Sequence, residues 1–478
     1  MKLFAALLTL LLGMAAASAA QIVPVAQIGT SCHLPGWEEA LRCVRVPVPL
    51  DPRQPGGEQL SLLAVVAPSY RQAAKADPLF VLAGGPGQAG SDVLPLLSQA
   101  FRKVRATRDI VFIDQRGTGR SGKLDCDNTP GQDSLPDDAA TQQLRDCLGR
   151  IKKPFALYTT AAAAADLELV RLALGYGKVN LWGGSYGTRL GQAYARAYPA
   201  SVRSLILDGV AAPDQIIPAG GHDGQVALDA LFAACAADAA CARAYPALRT
   251  EFAALVSRVG AGSVVVDGTD PRTAADLHLT MSSNRLIGTV HSMLYSPLDS
   301  RRLPFLIHSA YAGRWAPFVA RSNLSSDFSA DGEVAFGLYL AVTCAEDVPR
   351  LTPELLDGDA KGSFLTVPLI RRVTDLCSVL HVPAVPYTAP AVITAPVLML
   401  SGALDPMTPP RRAAAAARYM NHAQQLVVAN AGHGISTLGC APRLMREFLD
   451  RPDGAVAGKC LDEIPAAAFQ LGNAGPAP

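Results

Sequence analysis

Lys178-Val179-Asn180-Leu181-Trp182-Gly183-Gly184-Ser185-Tyr186-Gly187-Thr188 carries the reading of the fold. Residues 178–182 form a short apolar strand, 183–187 a Gly-x-Ser-x-Gly turn, and a helix is expected from Tyr186 to Tyr198. So tight a turn needs small residues at 183 and 187, where neighbouring backbone would strike a Cβ. Ser185 is then held at the sheet edge with its Oγ exposed. The N-terminal N–H groups and dipole of the following helix favour negative charge developing beside it.

Working outward, Pro78–Ala83 reads as a buried strand ending in Gly84-Gly85-Pro86-Gly87, and Asp109–Asp114 as another ending in Gln115-Arg116-Gly117-Thr118-Gly119. Thr160–Leu174 has a helical apolar face, and Ser204–Asp208 is the strand after the turn helix. Strands return at Pro396–Ser401 and Gln425–Ala429, with a helix from Arg411 to Tyr419 between them. Continuous apolar strands alternating with helices predict a mostly parallel sheet covered on both faces. Residues 214–390 break this rhythm. They read as mainly helical, without strand–helix alternation, and are too long for a loop, so they are expected to form an inserted cap domain. The core is then 21–213 and 391–463, and the Ala/Gly/Pro-rich 464–478 is expected to be a flexible tail.

A serine hydroxyl needs a base, and the base needs an acid to orient it. In a sheet of this kind the acid and base follow the serine in that order, each on a loop after a later strand. Strand 396–401 runs into Gly402-Ala403-Leu404-Asp405, and strand 425–429 into Asn430-Ala431-Gly432-His433-Gly434. Asp405 and His433 thus fall at C-terminal strand ends, where open α/β sheets place their sites. The oxyanion of acyl transfer needs two donors. The backbone N–H of Tyr186 is one, and Gly85 N–H in the loop after the third strand is the other, with Gly84 second. The blander readings are an incidental Gly-rich turn, a solvated loop histidine and an aspartate that shapes only its own turn.

The chain has 478 residues; 42 basic and 41 acidic side chains leave a net charge of +1, and half the residues are hydrophobic. That supports a large core, and near-neutrality without a Lys/Arg block argues against nucleic acid as a partner. Met1-Lys2, the apolar Leu3–Met14 and the small residues 15–20 read as a signal peptide over 1–20, cut near Ala19-Ala20 or Ala20-Gln21. No later run has the roughly 18 apolar residues of a membrane span, so stable membrane insertion is not expected. Ten cysteines agree with export and disulfides. Their number admits many connectivities; spacing groups them as neighbours, 32–43, 126–147, 235–241, 344–377 and 440–460. No Cys-x-x-Cys or Cys/His cluster points to metal, and no cofactor is expected.

Gly84-Gly85-Pro86-Gly87, Asp114-Gln115-Arg116-Gly117-Thr118-Gly119-Arg120-Ser121, Gly183–Thr188, Leu207-Asp208-Gly209-Val210 and Gly402–Asp405 together resemble the α/β-hydrolase family of prolyl aminopeptidases. Chain length and signal peptide are more similar to its secreted tripeptidyl aminopeptidase branch. The resemblance covers about 60–213 and 391–450. It implies an α/β-hydrolase fold, a mostly parallel sheet with helices on both faces, carrying a large helical cap. It also implies a secreted or periplasmic serine exopeptidase acting on peptides with a free N-terminus. Asp114 and Arg116 are expected to brace the site from behind. Val342-Thr343-Cys344-Ala345-Glu346-Asp347 resembles the family segment whose acidic residue faces the substrate amine, which implies Glu346 as the anchor with Asp347 in reserve. An α-ammonium, with a pKa of about 7.7–8.0 in isolation, is held well by a carboxylate. The chain departs from the family at Ala83, where prolyl members carry His, and at Gln88-Ala89 in place of Gly-Ser, so strict proline specificity does not follow. An esterase or amidase with the same triad, and a binding protein on an inactive scaffold, are the competing classes. Oligomeric state is not legible.

Overall fold

The computed structural model describes residues 29–126, 135–262, 264–269, 274, 276–322 and 334–475. The expected signal peptide lies outside the described residues. A nine-stranded sheet organises the core, in the order β1(Thr30–Leu34), β2(Trp37–Pro49), β3(Gln59–Ala67), β5(Ile110–Ile113), β4(Leu79–Leu82), β6(Val179–Gly184), β7(Val202–Asp208), β10(Val397–Gly402), β11(Ala423–Val428). From β5 to β11 all neighbours run parallel, and β1, β2 and β3 pair antiparallel at one edge. The strand before Gly84-Gly85-Pro86-Gly87, expected as the third, is the fourth in the chain. Strands β1 to β3 have no counterpart among the strands expected from the sequence.

Every residue of β4, β5 and β10 is buried, as continuous apolar strands covered on both faces require. One face packs on helices Thr160–Ala173 and Tyr186–Ala197 through Leu167, Val170, Leu190 and Tyr194. The other packs on Leu97, Phe101, Leu444 and Phe448. Residues between 227 and 319 pack around a separate apolar cluster that includes Phe232, Phe252, Leu286 and Phe318. Helix Phe336–Glu346, within the same expected cap, instead packs into the core cluster through Leu338, Leu340 and Val342.

Besides its helices, the expected cap contains a β-hairpin, β8(Val264–Thr269) with β9(Asp276–Met281), whose Val266 and Leu279 face its apolar cluster. One expectation needs correction. The tail is docked along its described part rather than frayed. Phe469 is buried in the cap cluster under the Arg301 guanidinium, and Gln470 N–H donates to Arg301 O at 3.1 Å. An aromatic anchor offsets the ordering cost that the surrounding small residues could not.

All five neighbour pairings of cysteines form, and no cysteine is free. Five disulfides belong to an oxidising compartment. No helix among the described residues is long and apolar enough to cross a membrane.

Candidate active site

Strand register brings the loops of interest to one rim. Leu82 pairs with Gly183, Gly184 with Asp208, Asp208 with Leu400, and Gly402 with Val428. The loops carrying Gly85, Ser185, Asp405 and His433 therefore leave the sheet side by side at its C-terminal edge.

Ser185 has φ 55° and ψ −124°, a conformation that costs an L-residue roughly 1–3 kcal/mol unless its surroundings hold it. They do. Ser185 N–H donates to Asp208 O at 2.9 Å, and Ser185 O accepts from Thr188 N–H at 2.9 Å and Thr188 Oγ1–H at 2.6 Å. A Cβ on Gly187 would stand 2.0 Å from Leu82 O, and one on Gly183 would stand 2.4 Å from Gly187 O, so β4 and β6 can meet the elbow only through bare backbone. Gly187→Ala is expected to lower unfolding free energy by ~3 kcal/mol, measured by urea titration; a loss under ~0.5 kcal/mol, the size of an ordinary surface change, would contradict that packing.

The imidazole of His433 meets Asp405, with Nδ1 2.8 Å from Oδ2. The Asp405 side chain is fully buried and that of His433 is 15% exposed. Asp405 is held in turn by the N–H groups of Met407 and Thr408, both at 2.8 Å to Oδ1, and by Thr408 Oγ1–H at 2.7 Å to Oδ2. Thr408 Oγ1 also lies 3.0 Å from His433 Nδ1. Burial alone would raise the Asp405 carboxyl, but the His433 charge and the converging donors hold it below the ordinary carboxylate range. Burial would likewise lower His433; the Asp405 charge and hydrogen bond outweigh it, Asp208 adds to them, and the imidazole sits above its ordinary value. No hydrogen bond joins Ser185 Oγ to His433 among the described residues. Their nearness is carried through Asp208 and Gly209: Asp208 O accepts Ser185 N–H, and a Cβ on Gly209 would stand 3.1 Å from His433 Cε1.

Neither Gly85 N–H nor Tyr186 N–H has a protein partner among the described residues. Gly84 lies against the elbow, where a Cβ would stand 3.1 Å from Ser185 Cβ. The oxyanion loop is tied to the cap by Ala335 N–H, which donates to Gly87 O at 2.9 Å just before helix Phe336–Glu346.

The far end of that helix carries the two acids. Glu346 accepts from Thr160 N–H at 2.6 Å and Thr160 Oγ1–H at 2.7 Å, and Thr160 Oγ1 meets the Tyr186 hydroxyl at 2.8 Å. Burial pushes the Glu346 carboxyl up from its ordinary value, against the Thr160 hydrogen bonds. Asp347 differs. Its side chain is fully buried, with both oxygens on Arg189 Nη1 at 2.9–3.0 Å and one also on Arg350 Nη2 at 2.8 Å. It offers no exposed oxygen to a substrate amine. Asp114 accepts from Ser91 and Arg120 N–H, and Arg116 is fastened to both oxygens of Asp166 at 2.7 Å. Asp114 thus fastens the loop after β4, while Arg116, also held by Leu50 O and Leu157 O, braces segments further back.

Three participants were not singled out from the sequence. Thr408 sits in an unremarkable Thr-Pro-Pro run. Asp208 is one residue of Leu207-Asp208-Gly209-Val210, a stretch that by itself assigns it no role. Tyr295 comes from the cap: its carbonyl accepts His433 N–H at 2.7 Å and its ring stands edge-on to the imidazole, centroids 5.0 Å apart. His291, one turn earlier, packs on Tyr295; burial lowers its pKa to about 4, so it stays neutral.

The site therefore brings a strained serine and an aspartate-bound histidine to the same C-terminal rim of a mostly parallel sheet. The sequence pattern of the α/β hydrolase fold family matches residues 77–224, and that of the TAP-like protein family matches 368–459. Carboxylesterase B of Mycobacterium tuberculosis is 30% identical over 406 residues, covering 77% of this chain and 76% of that one. Serine protease Hip1 of M. tuberculosis is 26% identical over 409 residues with the same coverage. Tripeptidyl aminopeptidase of Streptomyces lividans is 28% identical over 194 residues, 37% of this chain and 36% of that one. The chain belongs to the α/β-hydrolase family. Within it, the chain is a serine hydrolase of the branch that carries a TAP-like C-terminal segment.

Proposed function

We propose that the chain is a secreted or periplasmic serine exopeptidase, tripeptidyl- or prolyl-aminopeptidase-like, that hydrolyses peptide bonds near a free N-terminus. Ser185, His433 and Asp405 form its triad. The observation that carries this reading is the 2.8 Å contact of His433 Nδ1 with Asp405 at the rim where Ser185 takes its strained φ. The names of the serine protease and tripeptidyl aminopeptidase relatives support it. The disulfides and the apolar N-terminal segment support export. Residues 21–213 and 391–463 serve as the catalytic core and 214–390 as the cap.

Ser185 Oγ attacks the scissile carbonyl as His433 Nε2 takes its proton. Asp405 holds the imidazole by Nδ1 and stabilises the imidazolium, while the N–H groups of Gly85 and Tyr186 receive the oxyanion. His433 then protonates the leaving amine, and a water it activates releases the acyl group from Ser185. Glu346 anchors the substrate ammonium. Burial raises its carboxyl, and an arriving cation pulls it back toward the charged form.

Paired peptides with free and acetylated N-termini test the reading. The free forms are expected to be cleaved and the blocked forms rejected. Equal turnover would favour the second reading, a carboxylesterase or amidase using the same triad, which the name of the 30% identical relative supports. Glu346→Gln is expected to raise KM for free-amine peptides roughly 10–100-fold, as loss of a charge-assisted hydrogen bond implies, while leaving an ester without an amine nearly unaffected. Equal effects on both would remove Glu346 from the amine site.

A further inference from the structure

Asp208 ends β7 and is 3% exposed. Ile435 N–H donates to its two oxygens at 2.8 and 2.9 Å, and Ser436 N–H donates at 2.7 Å. No Lys or Arg is bonded to it among the described residues. Its own carbonyl accepts Ser185 N–H at 2.9 Å. Ser436 Oγ, on the same loop, accepts the indole N–H of Trp182 at 2.8 Å, and Trp182 stands in β6 three residues before the nucleophile. Gly209, the next residue, lies against the imidazole. One residue thus grips the backbone of the serine with its main chain and the loop after the histidine with its side chain.

We propose that Asp208 is a positioning residue for the reaction, clamping loop 434–436 to the elbow so that His433 is presented to Ser185, with its charge placed to favour the imidazolium. This rests on the triad reading. A buried carboxylate without a bonded cation is costly, and a neutral side chain would cap one of the two N–H groups at less cost. The charge has a use only where positive charge develops, and the nearest group that gains one is His433. Burial raises the Asp208 carboxyl, opposed by the donors of Ser436 and Ile435 and by His433. Every hydrogen bond to it is a donor's, as suits the ionised form. The other titratable groups facing His433 are Asp405 from the loop after β10 and, from the cap, Tyr295 and the neutral His291.

The test compares wild type, Asp208→Asn, Ser185→Ala and His433→Ala on a small p-nitrophenyl ester, with pH profiles and melting curves. The ester needs only the serine hydrolase chemistry, so peptide specificity does not enter. Asp208→Asn is expected to lower kcat about 100-fold, the cost of a misplaced catalytic group, with KM little changed. It is also expected to move the acid limb of kcat/KM to lower pH, because removing a negative charge lowers the His433 pKa and keeps the base form to lower pH. A kcat within threefold of wild type, or a loss of kcat with the acid limb unmoved, overturns the proposal. Asp208→Ser is the second variant. If neither replacement folds, Asp208 serves stability alone and the proposal also falls. Full activity in His433→Ala would sink the triad reading and this inference together. A dead His433→Ala beside a fully active Asp208→Asn would remove only the role of Asp208.

Discussion

Replacing Ser185 or His433 by Ala is expected to lower kcat about 10⁵–10⁶-fold, and replacing both to lose little more than either alone, because the groups of the proposed triad would act as a unit. In the proposed mechanism Ser185 supplies the bond to the acyl group, and the neighbouring hydroxyls are engaged elsewhere: that of Tyr186 with Thr160 Oγ1, and Thr188 Oγ1 with Ser185 O and Ala211 N–H. His433 is the proposed base: its Nδ1 is committed to Asp405, which leaves Nε2 for the serine proton. Ser185→Ala removes no side-chain hydrogen bond and is expected to melt within a few degrees of wild type, whereas His433→Ala leaves the buried Asp405 without its imidazole partner and is expected to melt lower. Initial rates on a p-nitrophenyl ester and melting curves check the pair. Losses that multiply in the double variant would mean that serine and histidine act in separate steps.

Asp405→Asn is the second large effect, with an expected loss in kcat of about 10⁴-fold at nearly unchanged KM. The amide keeps the volume and can still accept from Met407 and Thr408 N–H, so the loop 405–408 stays closed. It cannot stabilise an imidazolium, and its NH₂ turned toward Nδ1 forces the wrong tautomer. Thr408 Oγ1 within 3.0 Å of Nδ1 gives the ring an alternative partner, but a neutral one. The charge of Asp405 raises His433 above its ordinary value. The acid limb of kcat/KM is therefore expected above the ordinary histidine range in wild type and lower in Asp405→Asn. An acid limb that does not move would detach Asp405 from the histidine.

The elbow and the two later loops were legible because each is local. A glycine whose Cβ would stand 2.0 Å from a carbonyl must be glycine, and a loop that follows an apolar strand inherits its place from the sheet. The cysteine neighbours paired for a similar reason, with short separations that keep partners on adjoining segments. What escaped depends on long-range packing. Tyr295 reaches His433 only because the cap folds over the rim, and nothing in Leu294-Tyr295-Ser296-Pro297 announces it. Asp347 and Glu346 are adjacent in sequence with the same charge, yet one faces Arg189 and Arg350 and the other faces Thr160. Only the direction of the helix end separates them. The cap hairpin is different, since Val264-Val265-Val266 carries strand propensity, while Asp267-Gly268, a turn-like pair in sequence, lies inside β8 opposite His278 and Leu277. Phe469 likewise was one apolar residue in a run of small ones, and it proved enough to dock the tail.

In the proposed mechanism Ser185 is the nucleophile that His433 activates. A fluorophosphonate probe applied to the purified, disulfide-intact chain, followed by peptide mapping, tests this most directly. The label is expected on Ser185 and nowhere else, and it should form at least a thousandfold more slowly in His433→Ala, as expected when the base is lost. A label on another serine, or equally fast labelling without the histidine, would contradict the central claim.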